Sequence, residues 1–186
     1  MMIESALKYG TTILRNIYLK IRYGNRYKSS LVYSCGIGTK IKIRTGGGIT
    51  IGEKFCTMSN ATLSALEHGT IVIGNRVSFN RNVSIACRGK ITIGEDVIFG
   101  PNCQLFDHDH DYNKLGQERR NSIIAGDITI GNGVWFGANC IILRGTTIGD
   151  NCVFGAGSII KGNYEANVVV TQERNENKKY IKTAIK

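Results

Sequence analysis

The stretch from Ile128 to Lys161 constrains this chain more than any other. Every sixth residue from Ile130 is large and apolar: Ile130, Phe136, Ile142, Ile148, Phe154 and Ile160. Two positions before the last five stand Val134, Cys140, Thr146, Cys152 and Ser158, all small, and Gly131, Gly137, Gly149 and Gly155 follow four of the six. A helix repeats its apolar residues at roughly 3.6 and a strand at about 2, so neither fits a strict six. That period belongs to a parallel β-helix of hexapeptide units, each a short strand and a turn. The large residue points into a prism, the small one fills a corner, and glycine permits the tight backbone.

The frame extends backwards with breaks. Ile93, Phe99 and Leu105 form one set, Ile73, Phe79 and Ile85 another, and Ile51, Thr57 and Leu63 a weaker third. Leu31, Ile37 and Ile43 are expected to be a fourth. Three units make one eighteen-residue coil. The isoleucines that open coils, at 51, 73, 93, 130 and 148, are spaced with four, two, nineteen and no extra residues. The nineteen make one long loop, roughly Phe106 to Asp127, and a long loop on a rigid scaffold is commonly functional. It contains Phe106-Asp-His-Asp-His-Asp-Tyr112. If Asp107 to Asp111 is extended, His108 and His110 fall on one side and the acids on the other.

The repeat, the loop histidines and Gly133-Val-Trp-Phe-Gly137 together resemble the hexapeptide-repeat acyltransferases. The resemblance is to the maltose/galactoside O-acetyltransferase type and its relatives that act on capsular or lipopolysaccharide sugars, and it covers Leu31 to Val170. It implies an all-β, left-handed parallel β-helix, assembled as a homotrimer with sites at the seams. It implies acetyl-CoA as co-substrate, no required metal, and a sugar or glycan hydroxyl as acceptor in surface-polysaccharide biosynthesis. Counted from Gly100-Pro-Asn102, the catalytic histidine matches His110. A neutral imidazole can take the proton of an attacking hydroxyl and return it to the departing thiolate. Asp107, Asp109 or Glu118 could orient that ring.

The resemblance also implies acceptor contacts at Asn80, Asp107, His108 and Trp135, and cofactor contacts at Ala138, Ala156 and Lys161. The sequence departs from the family pattern in three places. Arg88 stands where an acidic residue contributes to the acceptor site. Lys161 comes one position early for a phosphate contact. Thr171 to Asn177 replaces the usual Gly-x-Pro-Ala.

Three domains of sequence follow: a helix and linker over 1–30, the β-helix over 31–170, and a polar basic tail over 171–186 in which Lys178 to Ile185 could form a short helix. Ile3, Leu7, Leu14, Ile17, Tyr18 and Ile21 recur at helical spacing. That helix is expected to cap the first coil, whose strand edges would otherwise be bare. Lys and Arg on its other positions leave room for docking on an anionic membrane through residues 1–28. Net charge is +10, concentrated at the ends, which does not give the continuous basic face that nucleic-acid binding asks for. Met1 to Ala6 lacks the pattern of a secretory leader, so the six cysteines are expected free, in a cytoplasmic protein that meets at most the inner face of a membrane. Asn80 and Asn82 could also serve corner backbone groups. The alternatives to O-acetyl transfer are N-acetylation of an amino sugar or small xenobiotic, a γ-carbonic-anhydrase-like zinc lyase using His68, His108 and His110, and a non-catalytic β-helix module.

Overall fold

The computed structural model describes residues 2–30 and 33–173, with side chains from residue 10 onward. The chain winds as a left-handed parallel β-helix with three faces. Face A holds seven parallel strands, and faces B and C hold six each. The expected frame residues lie in register, coil over coil. Ile51, Ile73, Ile93, Ile130 and Ile148 line face A. Thr57, Phe79, Phe99, Phe136 and Phe154 line face B. Leu63, Ile85, Leu105, Ile142 and Ile160 line face C.

These side chains fill the prism and are buried, as are the small residues Val134, Cys140, Thr146, Cys152 and Ser158. One aromatic column runs through it: Phe55, Phe79, Phe99, Phe136 and Phe154, with adjacent ring centroids 4.7–5.2 Å apart. Phe55 supplies the ring that the frame position Thr57 lacks. All six cysteines are free, and Cys56 alone is not fully buried. Corners are closed by asparagines in left-handed backbone, and Asn82, Asn102 and Asn139 link side chain to side chain at 2.9 and 3.1 Å.

The corners are unequal in a systematic way. Between faces A and B every coil has four residues, and the same holds between B and C. Every change of length occurs between C and A, at 44–47, 66–69, 88–89, 107–127, 144–146 and 161–162. The long loop therefore leaves the same edge as the shorter insertions.

The first coil departs from expectation. Ile37 is 90% exposed, and register places Ser29 beside Ile51, Cys35 near Thr57 and Ile41 beside Leu63. The frame there runs two residues earlier than Leu31, Ile37 and Ile43. The reason is that a four-residue strand points two residues inward, here Ile41 and Ile43, and a count of six started from the second runs out of phase. Leu31 itself lies outside the described residues.

The N-terminal helix, α1, spans Met2–Tyr23 and lies across this coil. Its inward face is not the apolar one. Thr12, Asn16 and Leu19 are buried, while Leu14, Ile17, Tyr18 and Ile21 are 43–80% exposed. The first coil presents backbone groups with no strand beneath them, so it is capped by hydrogen-bonding side chains. Asn16 donates to Ser30 O and accepts from Ser29 Oγ, Thr12 Oγ1 accepts from Cys35 N, and Arg15 Nη1 donates to Thr39 O at 3.3 Å. Residues 174–186, including the expected helix from Lys178, lie outside the described residues. No described helix is long and apolar enough to cross a membrane.

Candidate active site

The long loop is ordered by its own secondary structure. His108–His110 forms a strand that pairs antiparallel with Ile123–Ala125, and a short helix, α2, Gly116–Asn121, joins them. His108 and His110 therefore share one side of an extended strand.

Asp107 anchors the hairpin to the prism. It is fully buried, whereas an acceptor contact had been expected of it. Its carboxylate accepts hydrogen bonds from Arg88 N and Gly89 N at 2.8 Å, from Cys87 Sγ at 3.1 Å, and from His108 Nδ1 at 2.8 Å. Burial pushes the Cys87 thiol well up, and the neighbouring Asp107 carboxylate adds to the effect. Arg88, which departs from the acidic pattern, serves the anchor through its backbone, and its guanidinium pairs with Glu67 at 3.5 Å.

His110 is exposed, and its Nδ1 lies 3.1 Å from the carbonyl oxygen of Arg119. With Nδ1–H donated to that carbonyl, Nε2 keeps a free lone pair. None of the three expected acids holds this ring. Asp107 holds His108, Asp109 pairs with Arg144 at 2.7 Å, and Glu118 pairs with Lys114 at 2.6 Å. Arg119 is stapled into the loop by donating from Nε to Lys114 O at 2.7 Å. Arg119 and Arg144 were not singled out from sequence. Their signal was only positive charge in a polar loop, and a main-chain carbonyl has no sequence signature.

Asn80, Ala138 and Ala156 fall on a second edge, the B–C corner. Asn80 follows face B, and its Oδ1 accepts from Arg81 N at 2.8 Å. Ala138 and Ala156 occupy the equivalent corner of later coils, one above the other, with Gly100 and Gly137 packed directly against their backbones. Trp135 stands 52% exposed on the outer side of face B, in a row with Ile98 and Val153. Lys161 is exposed at the C–A corner, on the edge from which the histidine loop leaves. Within one chain face C thus separates the histidines and Lys161 from Asn80, Ala138 and Ala156. His68, an exposed corner residue two coils before the loop, joins no group of three or more His, Cys, Asp or Glu placed to hold a metal among the described residues.

A coil this regular, carrying one structured histidine loop at a constant edge, defines the hexapeptide-repeat class of transferases. The family model described as bacterial transferase hexapeptide (six repeats) matches residues 120–162. WbbJ of Escherichia coli (strain K12), named for O-acetyl transfer in lipopolysaccharide biosynthesis, is 32% identical over 136 residues, 69% of each chain. The chain belongs to the hexapeptide-repeat transferase family. Galactoside O-acetyltransferase of the same strain is 39% identical over 100 residues, 53% of this chain and 48% of its own length. The chain thus spans about half of that relative. Among solved structures, AntD from Bacillus cereus, an N-acyltransferase in complex with dTDP and 3-hydroxybutyryl-CoA, shares the fold with TM-score 0.65 at 16% identity, over 82% of this chain and 81% of its own. A galactoside acetyltransferase in complex with coenzyme A shares it with TM-score 0.50 at 24% identity, over 87% and 76%.

Proposed function

We propose that this protein transfers an acetyl group from acetyl-CoA to a hydroxyl of a sugar or glycan in surface-polysaccharide assembly. The observation that carries this reading is His110, set on an ordered hairpin with Nδ1 tied to a carbonyl and Nε2 open to a substrate. The acceptor hydroxyl attacks the thioester carbonyl as Nε2 takes its proton. Collapse of the tetrahedral adduct breaks the C–S bond, and the imidazolium returns the proton to the thiolate. The relatives named for O-acetyl transfer support the bond formed, and the galactoside acetyltransferase solved in complex with coenzyme A supports the donor. The Ala138–Ala156 column leaves close access for a slender arm, and Lys161 offers a charge for phosphate.

A second reading of the base rests on one contact. His108 has a carboxylate partner, Asp107, 2.8 Å from its Nδ1, where His110 has a main-chain carbonyl. Against it, that side chain is only 16% exposed, and Asp107 is already engaged by two backbone N–H groups. We assign His108 to positioning the hairpin and lining the acceptor, and His110 to proton transfer.

The test is coenzyme A release from acetyl-CoA across neutral sugars, amino sugars and nucleotide sugars. His110→Ala is expected to lower kcat/KM by ~10²–10⁴ while His108→Ala falls less. The reverse order would move the base to His108. A preference for amino sugars over hydroxyl-only acceptors would make the reaction N-acetylation. Absence of both turnover and acetyl-CoA binding would remove the transferase reading.

A further inference from the structure

A cavity of about 730 Å³ lies between α1 and the B–C corners of the first three coils, across face C from the edge that the histidine hairpin leaves. Its volume is in the range of small-molecule sites. Among the described residues two arginines, Arg15 and Arg81, line it, and no carboxylate does. Arg15 spends one nitrogen on Thr39 O, while its Nε and Nη2 are buried without a hydrogen-bond partner among the described residues. Arg81 forms no ion pair with a described residue. Met58, 47% exposed, and Ile37, 90% exposed, give the lining apolar surface.

Buried guanidinium donors without acceptors are costly, and a ligand that supplies the acceptors relieves that cost. A guanidinium fork fits the paired oxygens of a phosphate or carboxylate. Ile37 and Met58 ask for something apolar within a few ångströms of that anion. We propose that this cavity is a binding site for an anionic amphiphile, an oxyanion attached directly to an apolar chain, with Arg15 and Arg81 on the oxyanion and Ile37 and Met58 on the chain. Neither donor nor acceptor of acetyl transfer enters this argument, so it stands or falls apart from that reaction.

Calorimetric titration of the full chain with octyl phosphate, octanoate, inorganic phosphate and octyl glucoside tests it. Octyl phosphate or octanoate should bind saturably at one site per chain, and which of the two binds tighter identifies the oxyanion. Inorganic phosphate should bind at least about tenfold more weakly, and octyl glucoside should not compete. Arg81→Gln, an exposed change that leaves the coil intact, should weaken octyl phosphate about tenfold or more, and Arg15→Lys should do the same by removing the fork. The His108→Ala, His110→Ala double variant should bind like the wild type. Octyl glucoside binding as tightly as octyl phosphate, wild-type affinity in both arginine variants, or no saturable binding would each overturn the proposal.

Discussion

Asp107 gathers donors from three consecutive residues of the preceding coil and from the histidine that follows it. An amide there would turn an NH₂ group toward at least one backbone N–H. Asp107→Asn is therefore expected to destabilise the protein by about 1–3 kcal/mol, the cost of leaving buried donors unsatisfied. Thermal melting reads this directly, and kcat should fall with it because the hairpin loses its anchor. An unchanged melting temperature would mean that the carboxylate is not the anchor. At this scale the sequence was partly legible. The two histidines stood out because a chain with three histidines places two of them in one loop. The carbonyl that holds His110 did not stand out, because it depends on how 111–122 folds back.

The element scale is where periodicity spoke most clearly. From Ile51 onward the spacing of six within each coil assigned the frame residues to their faces, the extra residues falling between coils. It misled in the first coil, where Ile41 and Ile43 both point inward and either can start the count. It misled again on α1, because an apolar stripe says which side avoids water only when the partner is apolar too. Here the partner is a bare strand edge. The aromatic column carries a prediction of its own. Phe136 stacks on Phe99 and Phe154 at 4.7 and 5.2 Å, so Phe136→Ala should cost ~3–5 kcal/mol in urea unfolding. A loss below about 1 kcal/mol would mean that neighbouring coils collapse into the gap. The exposed row Leu14, Ile17, Tyr18 and Ile21 lies opposite the capping face. With Lys20 and Arg22 beside it, we expect α1 to rest on anionic lipid. Cosedimentation with vesicles containing phosphatidylglycerol should exceed that with neutral vesicles and fall in Leu14→Gln, Ile21→Gln. Equal recovery on both vesicle types would remove the membrane role.

For the whole molecule, the expected site residues other than Trp135 sit on two edges of face C, and a second copy set alongside would bring the edges together. Trp135, Ile98 and Val169 leave an apolar row on the outside of face B, and Ile159 one on face C. We therefore expect a homotrimer by light scattering. Trp135→Glu should shift it toward monomer and reduce activity together with mass. Activity retained by a monomer would place the site within one chain. The confinement of every length change to the C–A corner has an entropic meaning. Closing a flexible segment costs about (3/2)RT ln n, so a doubling adds only about 0.6 kcal/mol. From Ile93 to Ile130 the chain takes 37 residues to climb one coil, against 18 from Ile130 to Ile148. Taken at the corner itself, 107–127 against 144–146, the longer connection costs the scaffold only about 2 kcal/mol of closure entropy. A loop that leaves at this corner and keeps a carboxylate at the place of Asp107 can be replaced by another without the prism below it having to change.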